Sequence, residues 1–475
     1  MNEGHYPLTE KLLRQVLDGL GIDPPAAESV TFSGDGAMLG YFAYTDMLAA
    51  TLAAAGVAVA ELVAAGQGEQ PRVHVDRVLA SGWARNLMRP LTPPPQRRMP
   101  FRIGGEYRTA DGRWLRMTDA NQRLQQRMLA VLGTPPDLAA VTAEISRHNA
   151  DDLERALLDG GGAAAASRTM QEWAAHPAGQ AIAAEPLTDV TVLGYGGSAW
   201  RPAPGRPLAG IRVLDCTRAI AGPMATRLLA GFGAEVLRVD PAGYAEWDDR
   251  DATQLTLGKR CTSLDLADAA GRERFLRLLA DADVFVHGYR PGVFDQLGLG
   301  EAVREQARPD LIEVTHNAYG WTGPWAGRRG FDSTVFVSSG LLHESMRRGS
   351  ADTPAAPGIV QHIIVDHCVG HVAAASVVRA LTRRLTGGSG SRTRLSLAGN
   401  TRLLGQTPAP DAEPLIPQAL DGPFEDRVYN SIRGPVRRLM PPLSVAGQPF
   451  FWERPGEPYG SAEPLWATEP VAAKR

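Results

Sequence analysis

The stretch IRVLDCTRAIAGPMATRLLAGFGAEVLRVD, residues 211–240, decides the fold class. IRVLD and EVLRVD are short apolar runs of strand character, and the segment between them predicts a helix over 223–232. The rhythm continues through LDL (264–266), the helical AGRERFLRLLADA (270–282), DVFVHGY (283–289) and LIEVTHN (311–317). Strands alternating with helices predict an α/β fold, a Rossmann-like parallel sheet whose ligand crevice lies at the carboxyl ends of the strands. Functional residues are therefore expected just after strands.

An acid ending the second strand, in RVD at 238–240, invites a dinucleotide reading, because it could bond a ribose hydroxyl. The first turn, CTRAIAGP, argues against it: it holds one glycine followed by Pro223, where a pyrophosphate needs G-x-G-x-x-G. There is no GxxxxGK[ST] phosphate loop either.

Outward from this unit, the chain of 475 residues is long enough for more than one domain. Forty-nine basic against 52 acidic residues give a formal charge of −3, which supplies no electrostatic footprint for nucleic acid. Cys216, Cys261 and Cys368 are widely spaced and can build neither a disulfide framework nor a four-thiolate zinc site, which fits a reducing cytoplasm. The opening MNEGHYPLTEKLLRQ lacks an apolar core, and the Ala-rich run from Met47 to Ala65 is interrupted by Glu61, so neither a signal peptide nor a membrane span is expected.

Pro-rich LTPPPQRRMP (91–100) and RPAPGRPLAG (201–210) divide the chain. Residues 1–100 form an N-terminal, largely helical segment. Residues 101–205 read as a small α+β domain, with a hairpin at Asp111-Gly112 followed by helices. Residues 206–400 are the Rossmann-like large domain, and 401–475 a Pro/Gly-rich extension that wraps another surface or is only partly ordered.

Several segments together resemble the family III CoA-transferases, the group that includes formyl-CoA transferase, carnitine CoA-transferase and the α-methylacyl-CoA racemases. LAGIRVLDCTRAIAGPMATRLLAGFGAEVLRVD is similar to the family's opening, and LGKRCTSLDL (257–266), VFVHGYRPGVFDQLGLG (284–300) and HNAYGWTGPWAGRRGFD (316–332) follow in the family's order. GGEYRTADGRWLRM (104–117) and RTMQEWAAHPAGQAI (168–182) resemble small-domain segments that in the family come after the large domain; here they precede it. Residues 45–76 also parallel 365–396, each with an Asp, an Ala-rich helix, a glycine turn and a strand. A permuted or partly duplicated transferase is the expectation, with 1–100 resembling part of the large domain.

The resemblance implies an enzyme that moves CoA from an acyl-CoA thioester to a carboxylate acceptor through an aspartyl intermediate. The family's nucleophile matches Asp366 in QHIIVDHCVGHVAAA, where a helix N-terminus would favour the carboxylate; a plain N-cap is the other duty of an Asp there. Asp46 is its pseudo-equivalent, read as a cap. Arg238, Lys259, Arg260 and Arg290 fall in family segments that could meet the phosphates of CoA, and Gly222 and Pro223 shape the first turn. Phe331 stands where racemases carry a His, so the α-proton base is missing. The glycine-rich loop of formyl-CoA transferase is not found, so formate and oxalate are not carried over.

His367 and His371, four apart and near His362, have zinc-ligand spacing but lack the Glu of HExxH. The expected site is metal-free, with the CoA thioester as substrate and no tightly bound cofactor. Expected partners are a small acyl-CoA and an organic carboxylate, with no nucleic acid and no membrane, in a homodimer as the family implies. Two other readings stay open: a non-catalytic CoA-binding subunit that needs a partner chain, and an isomerase that moves CoA within one molecule.

Overall fold

The computed structural model describes residues 4–85, 87–92, 101–196, 200–243, 254–347, 363–409, 412–415, 423–432 and 434–467. Its centre is a seven-stranded sheet. From one edge the strands run Lys259–Leu264, Glu235–Pro241, Arg212–Cys216, Val284–His287, Ile312–Asn317, Ser389–Ser396 and Asp189–Tyr195. The first six are parallel and the last antiparallel. The order reverses between Arg212–Cys216 and Val284–His287, where a doubly wound sheet opens its crevice. The helix expected over 223–232 is Ala221–Gly231. Parallel strands are covered on both faces, so their residues are apolar in runs; Val284–His287 and Ile312–Asn317 are buried throughout.

The small α+β domain has its own core. A hairpin of Gly105–Arg108 and Trp114–Met117 turns at Gly112, whose φ of +72° suits glycine, and Ala164–Ala166 adds a third strand. Helices Gln122–Leu132, Leu138–Ile145 and Ala150–Asp159 pack on it around Tyr107, Leu115, Met128 and Leu157. One boundary moves from the sequence expectation: Asp189–Tyr195, placed within 101–205, is the edge strand of the large sheet. The C-terminal extension is anchored. Trp452 Nε1 donates to Arg227 O and Trp466 Nε1 to Leu278 O, both buried.

Two 24-residue helices, Tyr44–Gln67 and Ile364–Gly387, pack along each other in the middle of the molecule. Each is long and apolar enough to span a bilayer, but protein covers them here: every residue from Tyr44 to Ala60 is buried. Their glycines let other elements close in on the pair. A Cβ added at Gly370 would lie 2.6 Å from Ala221 O of the helix Ala221–Gly231, and one at Gly56 2.7 Å from Val73 Cγ1 of the N-terminal sheet.

The likeness of 45–76 to 365–396 extends to topology. Val30–Ser33 runs parallel to Val73–Asp76, which pairs antiparallel with Leu443–Val445. In the large sheet Ile312–Asn317 runs parallel to Ser389–Ser396, which pairs antiparallel with Asp189–Tyr195. In both units a long helix precedes the middle strand and a short one, Arg77–Arg85 or Leu397–Gly405, follows it. Asp46 and Asp366 are each the third residue of their long helix.

Their surroundings differ. Asp46 is sealed: its Oδ1 takes Arg77 Nη2 at 2.9 Å and Thr9 Oγ1 at 2.6 Å. It is not the plain cap expected, since its side chain accepts no backbone N–H. Arg77→Met would strand a buried carboxylate and should cost about 3–5 kcal/mol, whereas Arg77→Met with Asp46→Leu should cost much less. Urea unfolding of the two variants checks this.

Candidate active site

At the carboxyl ends of the central strands, between the large and small domains, lies a cavity of about 1250 Å³. Asp366 lines it, on the first turn of Ile364–Gly387. Asp332, the first residue of the helix Asp332–Ser338, stands next to it: Asp332 Oδ2 accepts the Asp366 backbone N–H at 2.9 Å. The small domain closes this corner through Thr118, whose hydroxyl lies 2.9 Å from that of Ser333.

Two carboxylates share this buried corner. Burial, reinforced by the charge of Asp332, pushes the Asp366 carboxyl well above the usual carboxylate range. Desolvation and the like charge thus work against the helix N-terminus, which was expected to favour the ionised form. The result is a weakly solvated carboxyl, a better nucleophile once ionised than a hydrated one.

The backbone is strained around the same cavity. Among the described residues two non-glycines have positive φ, Ala219 at 60° and Ile363 at 84°, and both line it. A β-branched residue pays heavily there, and such strain gathers at sites the surrounding structure over-determines. Ile363 immediately precedes the helix carrying Asp366, and Ala219 ends the turn after Arg212–Cys216.

Away from the carboxylates the cavity is basic. Arg290, after the strand Val284–His287, meets Arg329 from the loop before Asp332 and Arg123 and Arg127 from the small-domain helix. Burial first, then repulsion from Arg290, Arg127 and Arg123, lowers the Arg329 guanidinium to about 10. Arg329 donates to the carbonyls of Gly161 and Gly162, Arg127 to Gly161 at 3.4 Å, and among the described residues no carboxylate pairs with these four. Clustered guanidinia without acids form a site for an anion.

The other proposed CoA contacts fall elsewhere. Arg238 is fully buried, bound through Nε and Nη2 to Asp240 and stacked on Tyr459 at 4.4 Å. Lys259 is fully buried, donating to Asp215 Oδ2 and Pro223 O at 3.0 Å. These pairs hold the sheet together and neither lines the cavity. Arg260 binds the tail through Leu465 O and Glu463 O. Gly222 and Pro223 shape the turn without lining the cavity: a Cβ on Gly222 would sit 2.4 Å from Thr217 and 2.8 Å from His316. Of the basic residues singled out from the sequence, Arg290 alone reaches the cavity. Arg123, Arg127, Arg329 and His316 were missed there, although His316 lies at the carboxyl end of the strand Ile312–Asn317 and Arg329 in the loop after it, close to where functional residues were expected.

His367 and His371 are buried with ring centroids 6.3 Å apart, and His371 Nδ1 meets Thr51 Oγ1 at 3.1 Å. Among the described residues no three potential metal ligands cluster; His362 lies outside them.

The chain belongs to the family described as CoA-transferase family III, which it matches over residues 27–193 and 208–423. The first region carries the N-terminal helix and the small domain, the second the large domain. A probable fatty acyl-CoA transferase of Mycobacterium tuberculosis is 35% identical over 199 residues, 38% of this chain and 48% of that protein. Succinyl-CoA:glutarate CoA-transferase of Mus musculus is 32% identical over 197 residues, 39% of this chain and 44% of that protein. The chain thus aligns with about half the length of these curated relatives. A crystal structure of the M. tuberculosis protein, 32% identical, overlaps 43% of this chain and 58% of that one with a TM-score of 0.37.

Three buried imidazoles make stability pH-dependent. Burial holds His316 at about 4, His371 at about 3 and His367 well below the ordinary value of 6.5, so all are neutral in the folded protein at pH 7. In the unfolded chain they take protons below about 6.5 and in the fold they do not, so this stability is complete above 6.5 and lost as pH falls toward 4. Each contributes up to about 1.4 kcal/mol per pH unit in that window. Urea midpoints at pH 7.5, 6 and 5 should fall in that order.

Proposed function

We propose that the protein transfers CoA from an acyl-CoA thioester to a carboxylate acceptor, with Asp366 as the nucleophile. One observation carries this reading: a poorly solvated carboxyl faces a large cavity whose other wall presents four arginines that pair with no carboxylate among the described residues. A CoA thioester has both ends this arrangement needs, an electrophilic carbonyl and a set of phosphates.

The ionised Asp366 adds to the thioester carbonyl; the C–S bond breaks and its electron pair leaves on sulfur as CoA thiolate. The anhydride so formed is attacked at the aspartyl carbonyl by that thiolate, releasing the first carboxylate and leaving an aspartyl-CoA thioester. The acceptor carboxylate repeats the two steps in reverse order, takes the CoA and restores Asp366. Each stage keeps the thioester's energy in an activated enzyme carboxyl. Arg290 and Arg329, with Arg123 and Arg127, would hold phosphate while the backbone around Ala219 and Ala221 approaches the pantetheine arm.

Intact and peptide mass spectrometry after incubation with a panel of acyl-CoA thioesters tests this. An acyl or CoA adduct on Asp366, absent from Asp366→Asn, is expected. Binding of CoA with no adduct would favour a CoA-binding subunit that requires a partner chain, and no binding would sink both readings. Arg329→Gln should weaken CoA binding about tenfold or more, by loss of a charged contact worth roughly 1.5–3 kcal/mol.

The pH profile has a defined sign. Asp366 acts ionised and its pKa is raised, so turnover should rise with pH along a limb above the usual carboxylate range. Asp332→Asn removes the like charge while keeping an oxygen for the Asp366 N–H. The limb should move to lower pH, read from single-turnover adduct formation across pH 4–8.

A further inference from the structure

His316 is the penultimate residue of the strand Ile312–Asn317 and lines the cavity with Asp366. Its ring is more than nine-tenths buried, and neither nitrogen has a hydrogen-bond partner among the described residues; Nδ1 is buried and unpaired. A buried imidazole nitrogen without a partner is costly, and the resting fold supplies none for Nδ1 among the described residues. The space is also shaped for it. Gly222 and Gly288 flank the ring, and a Cβ on either would approach its Cε1 to 2.8 or 2.9 Å. Gly222 lies on the first turn of the helix Ala221–Gly231, and Ala221 O touches the Asp366 helix at Gly370. The imidazole therefore packs against the first turn of the helix Ala221–Gly231, which touches the Asp366 helix one turn beyond Asp366, and His316, Ala221 and Asp366 line one cavity.

We propose that His316 is a catalytic residue that donates an N–H hydrogen bond to the thioester sulfur as the C–S bond breaks. This rests on the transferase reading. The chemistry requires a donor that stabilises the thiolate without protonating it, because the same thiolate must return as a nucleophile. As the Asp366 oxygen–carbon bond forms and the electron pair moves to sulfur, the proton stays on His316. An imidazolium of ordinary pKa 6.5 is a stronger acid than a thiol near 8.5 and would quench the thiolate. A neutral imidazole cannot, and burial keeps His316 neutral at physiological pH.

The test follows single-turnover adduct formation on Asp366 in wild type, His316→Gln and His316→Phe, with CoA affinity measured in parallel. The Phe variant should form the adduct about a hundredfold more slowly with CoA affinity within a few-fold of wild type, the loss seen when one preorganised donor is removed. The Gln variant, which keeps an N–H donor, should recover most of the rate. Free CoA thiol trapped by iodoacetamide during turnover should rise in the Phe variant, a readout that mere repacking would not move. Equal rates in all three proteins, or equal losses in Gln and Phe with CoA binding lost, would overturn the proposal for His316 alone. Absence of any adduct in wild type would overturn the transferase reading and this inference with it.

Discussion

The close packing of Tyr44–Gln67 against Ile364–Gly387 is the constraint on which the rest of the structure depends. Both helices are rich in alanine and buried along most of their length, and their glycines admit further elements: Gly370 lets the helix Ala221–Gly231 approach one, and Gly56 seats the other on Val73 and Leu443. Fixing the second helix fixes its first turn, and with it Asp366 beside Asp332. It also fixes the contact of Gly370 with Ala221 and hence the helix Ala221–Gly231 under the crevice. The N-terminal unit, whose own Asp46 is buried against Arg77 and Thr9, is one wall of the scaffold that holds Asp366 in place.

Asp46 and Asp366 show how equivalent positions of two like units come to lie in opposite electrostatic environments. Both are the third residue of a long buried helix, yet one has a guanidinium and a hydroxyl on its carboxylate and the other has a second carboxylate for a neighbour. An ion pair spends the charge on stability. A like-charged neighbour in a buried corner raises the energy of the ionised form and leaves it reactive. Position within the fold is shared; the partner supplied by another segment, Arg77 or Asp332, makes the difference.

The alternation of strands and helices over 211–317 was legible, because a parallel sheet covered on both faces writes itself as apolar runs separated by amphipathic ones. The likeness of 45–76 to 365–396 was legible too, and so was the place of Asp366 on the first turn of a long helix. The basic residues were not. Arg238 and Lys259 lie in strands whose side chains alternate between faces, and the sequence does not say that Asp240 and Asp215 wait on the same face to neutralise them. Arg123 and Arg127 lie on a helix of another domain, and their meeting with Arg290 and Arg329 is a fact of domain docking that no local pattern encodes. The strain at Ala219 and Ile363 was equally invisible, since neither residue type signals a left-handed backbone.

The N-terminal sheet has a temporal side. Val73–Asp76 finds its antiparallel neighbour in Leu443–Val445, and Tyr44–Gln67 finds its main helical partner in Ile364–Gly387. A ribosome adding about 5–20 residues per second reaches residue 443 roughly 20–70 s after residue 76. During that interval the nascent chain carries an apolar helix without its cover and a strand with an open edge, which is a natural substrate for a chaperone. The chain order that gives the protein its central helix pair therefore leaves its first segment waiting for partners from the far end of the sequence.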